Sequence, residues 1–212
     1  MIDIIQGDAL ELAPDRIAAG TVDLIFTDPP YPKEFHYCYE WLAKEAERVL
    51  KPDGFLIAYV GPYWKDVVMS YFNEHLQYFY DFILAHKGNT SILWPRKIIS
   101  GYKSIMCYHL KGQSPLPRTN VLGRWDGTGG DKRFHRWGQD MTTARYYVDC
   151  FSKEGDLVVD YFLGGGTTAE VCKRLNRNFI GIEINTETFN MARSRLDGAL
   201  GPEEKGRQIE LV

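Results

Sequence analysis

The apolar run Val22-Asp23-Leu24-Ile25-Phe26-Thr27 ends in Asp28-Pro29-Pro30-Tyr31. Proline donates no backbone hydrogen bond and fixes φ, so a central strand cannot continue through two of them. A buried strand must therefore stop at an acid, two rigid rings and an aromatic. Together these make a compact polar hole with a flat wall, suited to a planar group that carries an exposed amine. Far downstream, Val158-Val159-Asp160 ends a second apolar run, and the glycine-rich stretch Tyr161-Phe162-Leu163-Gly164-Gly165-Gly166-Thr167-Thr168 follows it.

Between and around these runs, strand and helix signals alternate. That pattern predicts an α/β sandwich with a mainly parallel sheet. Met1-Ile2-Asp3-Ile4-Ile5 reads as a strand, not a signal peptide. A helix is expected over about Tyr37 to Leu50, where Leu42, Ala46, Val49 and Leu50 share a face. Lys51-Pro52-Asp53-Gly54 should turn the chain into a strand at Phe55–Val60. A helix from Tyr63 to His75 and strands at Phe79–Ala85 and Ser104–Leu110 come next, the two strands forming an antiparallel edge. Lys111 to Gly138 reads as a long loop. Beyond it the pattern gives a helix at Thr142–Phe151, a strand at Leu157–Asp160, a helix at Thr167–Leu175, a strand at Phe179–Glu183 and a helix at Thr186–Leu196. Gln208–Val212 could add a last strand. The 212 residues suit one domain with a full core.

No apolar run approaches the roughly 20 residues of a membrane span. Cys38, Cys107, Cys150 and Cys172 are scattered, which argues against a zinc site or a disulfide framework and for a reducing cytoplasm. No metal is expected. The formal charge is only −3, but its distribution is uneven. Between Asp81 and Asp126 there is no acid, while Lys87, Arg96, Lys97, Lys103, Lys111, Arg118 and Arg124 supply seven positive charges, leaving the remainder at −10 (−3 less 7). Such asymmetry suits a phosphate-facing surface on an otherwise acidic protein. Trp94, Tyr102 and Trp125 lie among the charges, as in nucleic-acid interfaces; a merely solvated face is the alternative.

In open α/β sheets, ligands bind at the carboxyl ends of strands near a switch in strand order. Gly164-Gly165-Gly166 lets the backbone approach a ligand closely, and Thr167-Thr168 opens a helix whose free N–H groups favour a carboxylate. About twenty residues on, Ile180-Gly181-Ile182-Glu183 ends a strand with an acid able to accept both hydroxyls of a ribose. An adenosine that carries an amino acid satisfies all these groups. A dinucleotide would want the G-x-G-x-x-G spacing, which is absent.

Val158 to Thr168, Gly181-Ile182-Glu183 and Thr27-Asp28-Pro29-Pro30-Tyr31 together resemble the amino-group DNA methyltransferases. Their order resembles the permuted β subclass, in which the acceptor motif precedes the cofactor motif, and the likeness runs from Gly7 to Leu196. It implies a single three-layer, Rossmann-like methyltransferase domain over residues 1–212, with a mainly parallel sheet and an antiparallel edge. It implies S-adenosylmethionine as cofactor, with Asp8, Asp160, Phe162, Gly164, Gly165, Gly166, Thr167, Thr168, Glu183 and Asn185 as candidate binding residues. Gly7-Asp8-Ala9-Leu10 matches the segment whose acid binds the adenine amine of the cofactor. His135-Arg136-Trp137-Gly138-Gln139 stands where the family folds over the methionine end. Tyr161 replaces a customary proline and Gly165 a frequent serine.

The chemistry follows from the acceptor motif. An exocyclic base amine is a poor nucleophile, because its lone pair is delocalised into the ring. Asp28 and the carbonyl of Pro29 can each accept one amine hydrogen, favouring a pyramidal nitrogen and stabilising the charge that develops. Pro29 and Pro30 fix those acceptors, and Tyr31 offers a face to a flipped-out base. Methylation at a ring carbon needs a thiol nucleophile. None of the four cysteines follows a proline, as that chemistry's family requires. In such motifs Asp goes more often with adenine and Ser with cytosine, so adenine N6 is the expected acceptor and cytosine N4 the alternative. A recognition segment is expected at about 86–134. There Lys87, Arg96, Lys97, Lys103, Arg118 and Arg124 are the candidate contacts to double-stranded DNA, with Asn89, Gln113 and Asn120 as base readers. So short a segment implies a short target site, or a homodimer that completes the clamp. An RNA or protein amino-group methyltransferase, and a non-catalytic DNA-binding regulator with a vestigial cofactor site, are the competing functions.

Overall fold

The computed structural model describes residues 1–85, 91–93, 96–126 and 140–198, residues 91–93 as backbone alone. The elements run β1 (Ile2–Gln6), α1 (Ala9–Arg16), β2 (Val22–Thr27), a 3-10 turn (Lys33–Phe35), α2 (His36–Val49), β3 (Leu50–Val60), α3 (Lys65–His75) and β4 (Leu76–Ala85). Then come β5 (Ser91–Leu93), β6 (Ile98–Ser100), β7 (Tyr102–Leu110), β8 (Arg124–Asp126), α4 (Met141–Phe151), β9 (Leu157–Asp160), α5 (Thr167–Arg174), β10 (Asn178–Glu183) and α6 (Thr186–Leu196). Eight strands form one sheet in the order β1-β10-β9-β2-β3-β7-β4-β8, and β5 and β6 pair separately.

Strand faces decide the layers, since successive side chains point to opposite sides. Ile25, Leu56, Ala58, Val60, Met106 and Tyr108 pack with α1, α2 and α3 on one face. Leu24, Phe26, Ile57, Tyr59, Ile105 and Cys107 pack with α4, α5 and α6 on the other. The result is the three-layer α/β arrangement expected from the alternating pattern.

β4 and β7 form the expected antiparallel edge of the sheet, β7 running against both β3 and β4, and the three-residue β8 joins β4 in parallel outside it. Several details differ from the expectation. β8 lies within the supposed loop; its three residues carry too little pattern to be read. Trp125, placed among binding aromatics by its charged neighbours, is 9% exposed and stacked on Tyr146 at 4.2 Å. Lys51 to Gly54, expected as the turn that stops the helix before it, follows the end of α2 but already lies within β3. It bulges from it: the pairing with β2 steps from Val22–Leu50 to Leu24–Phe55. Gly54 is required there, because a Cβ would stand 2.8 Å from the Val22 carbonyl. α1 was not expected, its short run being broken by Pro14. His135–Gln139, Trp94, Lys87, Asn89 and Gln208–Val212 lie outside the described residues.

Candidate active site

The order β10-β9-β2-β3 contains the switch. From β9 the chain passes through α5 to β10 on one side; from β2 it passes through α2 to β3 on the other. The β9–β2 ladder pairs Leu24 with Val158 and Ile25 with Val159 and then stops, so a crevice opens between the two strand ends. Asp160 and Thr27 lie on its two lips. The Thr27 hydroxyl donates to Asp160 Oδ1 at 2.7 Å across 133 residues of chain. One hydrogen bond thus ties the acceptor motif to the glycine-rich motif.

Asp160 is 3% exposed. It also accepts from the Phe162 amide at 3.1 Å and the Thr168 hydroxyl at 2.8 Å. Burial still wins: it pushes the carboxyl up to about 6, against those three hydrogen bonds, and the nearby Asp28 charge adds to the rise. A carboxylate so placed favours a cationic neighbour.

The glycine turn is wired at each step. The Leu163 amide donates to the Ile182 carbonyl at 3.0 Å, and the Gly164 amide to Glu183 Oε2 at 2.8 Å. Gly164 (φ 54°) and Gly166 (φ 77°) occupy the left-handed region. Gly166 caps α5, and a Cβ there would meet Ala192 Cβ at 3.0 Å. Gly165 presents its carbonyl to the buried Arg195, whose Nη1 donates to it at 3.2 Å and to Thr167 Oγ1 at 3.0 Å. Arg195 went unnoticed in the sequence, where it reads as one more surface charge on α6. Tyr161, where the resemblance puts a proline, packs inward from the end of β9. Its ring is buried edge-on to Trp41 at 5.1 Å, and its hydroxyl donates to Glu45 at 3.0 Å.

Glu183 ends β10 beside Gln6 of β1, and its Oε1 accepts the Asn185 amide at 2.9 Å. Asn185 in turn caps α6. Asp8, one turn beyond the end of β1, caps α1 by accepting the Leu10 amide at 2.9 Å. Asp8, Asp160, Glu183 and the three glycines therefore share the carboxyl edge of β1, β10 and β9.

On the other lip, Tyr31 donates its hydroxyl to Asp28 Oδ1 at 2.6 Å. The Pro29 carbonyl accepts the Tyr39 hydroxyl at 3.1 Å, which fixes its direction. Gly61, after β3, seats Tyr31: a Cβ there would lie 3.1 Å from Tyr31 Cβ and Cγ. Burial, and then the Asp28 charge, raise the Tyr31, Tyr39 and Tyr59 phenols well above their usual range, so all three stay protonated. Asp140, which the sequence reading passed over, caps α4 and is 6% exposed.

The basic residues do not form one surface. Arg96 and Lys97 are exposed before β6, with the Arg96 guanidinium 4.3 Å from the Tyr63 ring centre. Lys103 lies over Tyr31 and Tyr59. Lys111 and Gln113 follow Leu110, which pairs with Leu76 at the start of β4, so they sit at the opposite, amino edge of the parallel strands. Arg118 donates to the Asp149 and Ser152 carbonyls at 3.0 and 2.8 Å, clamping the end of α4. Arg124 is paired with Asp126 at 3.0 Å. Asn120 is exposed in the loop that follows Arg118. Among the described residues no helix is long and apolar enough to cross a membrane, and no cluster of His, Cys, Asp and Glu could hold a metal ion. All four cysteines are free and buried.

The family described as DNA methylase matches residues 140–194, from Asp140 through most of α6. The type II methyltransferase M.HpaI of Haemophilus parainfluenzae is 28% identical, over 86% of this chain and 70% of its own length. M2.DpnII of Streptococcus pneumoniae, also a type II methyltransferase, is 52% identical over 53% of this chain and 43% of its own length. Among solved structures, M1.HpyAVI in complex with SAM superposes with a TM-score of 0.77, covering 93% of this chain and all of that one at 24% identity, a likeness of fold.

Proposed function

We propose that this chain, which belongs to the amino-group DNA methyltransferases, methylates the N6 amine of adenine in double-stranded DNA. The observation that carries the proposal is the Thr27–Asp160 hydrogen bond, because it sets the amine-gripping motif against the glycine-rich turn at the switch of the sheet. S-adenosylmethionine supplies, when bound, an electrophilic methyl group on a sulfonium. The residues present fit it. Gly164 and Gly166 keep side chains off the turn, the start of α5 offers amides for a carboxylate, and Asp160 offers a negative charge for its cationic groups. Glu183 is the acceptor for ribose hydroxyls, and Asp8 the acid for the adenine amine. Phe162, Gly165, Thr167, Thr168 and Asn185 shape or hold these groups.

Asp28 and the Pro29 carbonyl accept the two hydrogens of the target amine and turn its lone pair outward. The Tyr31 hydroxyl now on Asp28 Oδ1 must yield or share that oxygen as the base arrives. Pro30 holds the turn rigid, and the Tyr31 ring receives the extruded base, whose removal from the stack costs a few kcal/mol. Once methylated, the amine is cationic and acidic, and Asp28 stabilises that charge until the proton leaves. Arg96 and Lys97 are the described cations best placed to meet phosphate near this edge. With Arg118 and Lys111 turned away, the contact area is small, so the target site is short or a second copy completes the clamp.

Adenine is preferred over cytosine because an acid, not a serine, opens the motif. Incubating DNA with protein and S-adenosylmethionine, then analysing nucleosides by mass spectrometry, tests this. N6-methyladenine is expected. N4-methylcytosine would transfer the same mechanism to cytosine. Label confined to RNA or protein, or binding of cofactor and DNA without turnover, would overturn the reading.

A further inference from the structure

Charge alone groups Lys103 with the other cations of the middle segment. Strand direction separates it from them. Because β7 runs against β3, its first residues stand beside the last of β3: Ser104 pairs with Val60 and Ile105 with Tyr59. Lys103 is thereby delivered to the mouth where Asp28-Pro29-Pro30-Tyr31 leaves β2. Its ammonium lies 5.4 Å from the centre of the Tyr31 ring and 5.7 Å from that of Tyr59.

Tyr59 is a core residue, 1% exposed, with its hydroxyl buried and unpartnered. An ammonium that reaches both rings sits against one face of the Tyr31 ring. Tyr31 is thus fixed three ways: by the Gly61 backbone behind Cβ, by Asp28 at its hydroxyl, and by Lys103 over its ring. A cation over a desolvated phenol ring is a stronger contact than one in water.

We propose that Lys103 is a positioning residue of the acceptor pocket: it backs one face of the Tyr31 ring so that the other can receive the extruded base. The proposal rests on the acceptor role given above to Asp28-Pro29-Pro30-Tyr31. It excludes a phosphate contact as the work of this side chain, and so separates Lys103 from Arg96 and Lys97.

The test is a double-mutant cycle of Lys103→Met and Tyr31→Leu in the full chain, with single-turnover methylation, steady-state KM and the salt dependence of DNA binding as readouts. Lys103→Met should lower the methylation rate about tenfold, leave KM for S-adenosylmethionine unchanged, and leave the slope of log K against log salt unchanged. Added to Tyr31→Leu it should cost nothing further. Lys103→Arg, which keeps a cation over the rings, should recover most of the rate. A slope shallower by about 0.9, the value of one lost phosphate contact, would overturn the proposal. So would multiplicative losses in the cycle, or a Lys103→Met protein as fast as wild type. Should Lys103→Met fail to fold, Lys103→Gln and Lys103→Arg run through the same cycle decide between the same outcomes. Wild-type methylation is the control for the underlying reading: without it the pocket assignment fails, whereas with it only the role of Lys103 is at stake.

Discussion

The two lips of the crevice are built differently. On the β9 side, polar groups are held by hydrogen bonds: both Asp160 oxygens, both Glu183 oxygens and the Gly164 amide have partners within the protein. On the β2 side, aromatic packing does the holding. Tyr31 rests on Gly61, beside Tyr59 and under Lys103, with one short hydrogen bond to Asp28. The contrast teaches that the turn is shaped before any ligand arrives, at a cost the fold has already met. Asp28 instead holds the Tyr31 hydroxyl at 2.6 Å, a hydrogen bond that the proposed target amine would replace.

The sharpest way to break this contrast is Asp28→Ala. It should lower turnover by roughly 100- to 1,000-fold, as removal of a charge-stabilising partner does elsewhere, while the cofactor Kd stays within about twofold in calorimetry. A large change in Kd would mean that the two lips are one unit. Glu183→Ala reverses the pattern. It removes an acceptor and frees the Gly164 and Asn185 amides, so cofactor Kd should rise about 10- to 100-fold; an unchanged Kd would remove Glu183 from the site. Gly166→Ala tests pre-shaping directly. With φ at 77° and Ala192 Cβ 3.0 Å away, it should cost about 1–2 kcal/mol in urea unfolding. Stability equal to wild type would show that the turn adjusts freely.

The smallest effect is a pH dependence. Asp160 is raised to about 6 by burial, which favours its neutral form. A raised carboxyl stabilises the unliganded fold at low pH, and that contribution fades as pH rises through about 6. A cationic cofactor has the opposite preference. Its affinity should climb by up to tenfold per pH unit below about 6 and level off above, with proton release on binding. Calorimetry in buffers of different ionisation enthalpy reads both. A flat profile would place the cofactor's charge away from Asp160.

Strands with continuous apolar runs were legible because burial on both faces leaves no polar alternation: Val22–Phe26, Phe55–Val60 and Leu157–Asp160 are seen where the pattern put them. Candidates at strand ends could be found for the same reason, since a buried strand must release its chain at an edge. What stayed hidden depends on partners distant in sequence. Thr27 looks like one more strand residue until Asp160 is opposite it. Arg195 and Arg118 look like solvated charges until the carbonyls they clamp are in place. Lys103 and Lys111 read alike as cations, yet the reversal of β7 sends them to opposite edges of the sheet. Net charge along a chain does not encode strand direction.

β9, from the last third of the chain, is wedged between β10 and β2. During synthesis, β2 therefore waits with one side unsatisfied until Leu157–Asp160 leaves the ribosome. An amino-terminal fragment would carry Asp28-Pro29-Pro30-Tyr31 on an open, adhesive sheet margin without the glycine-rich turn. Partial products of translation should clump instead of acting, and the protein gains its activity only when its final strands arrive.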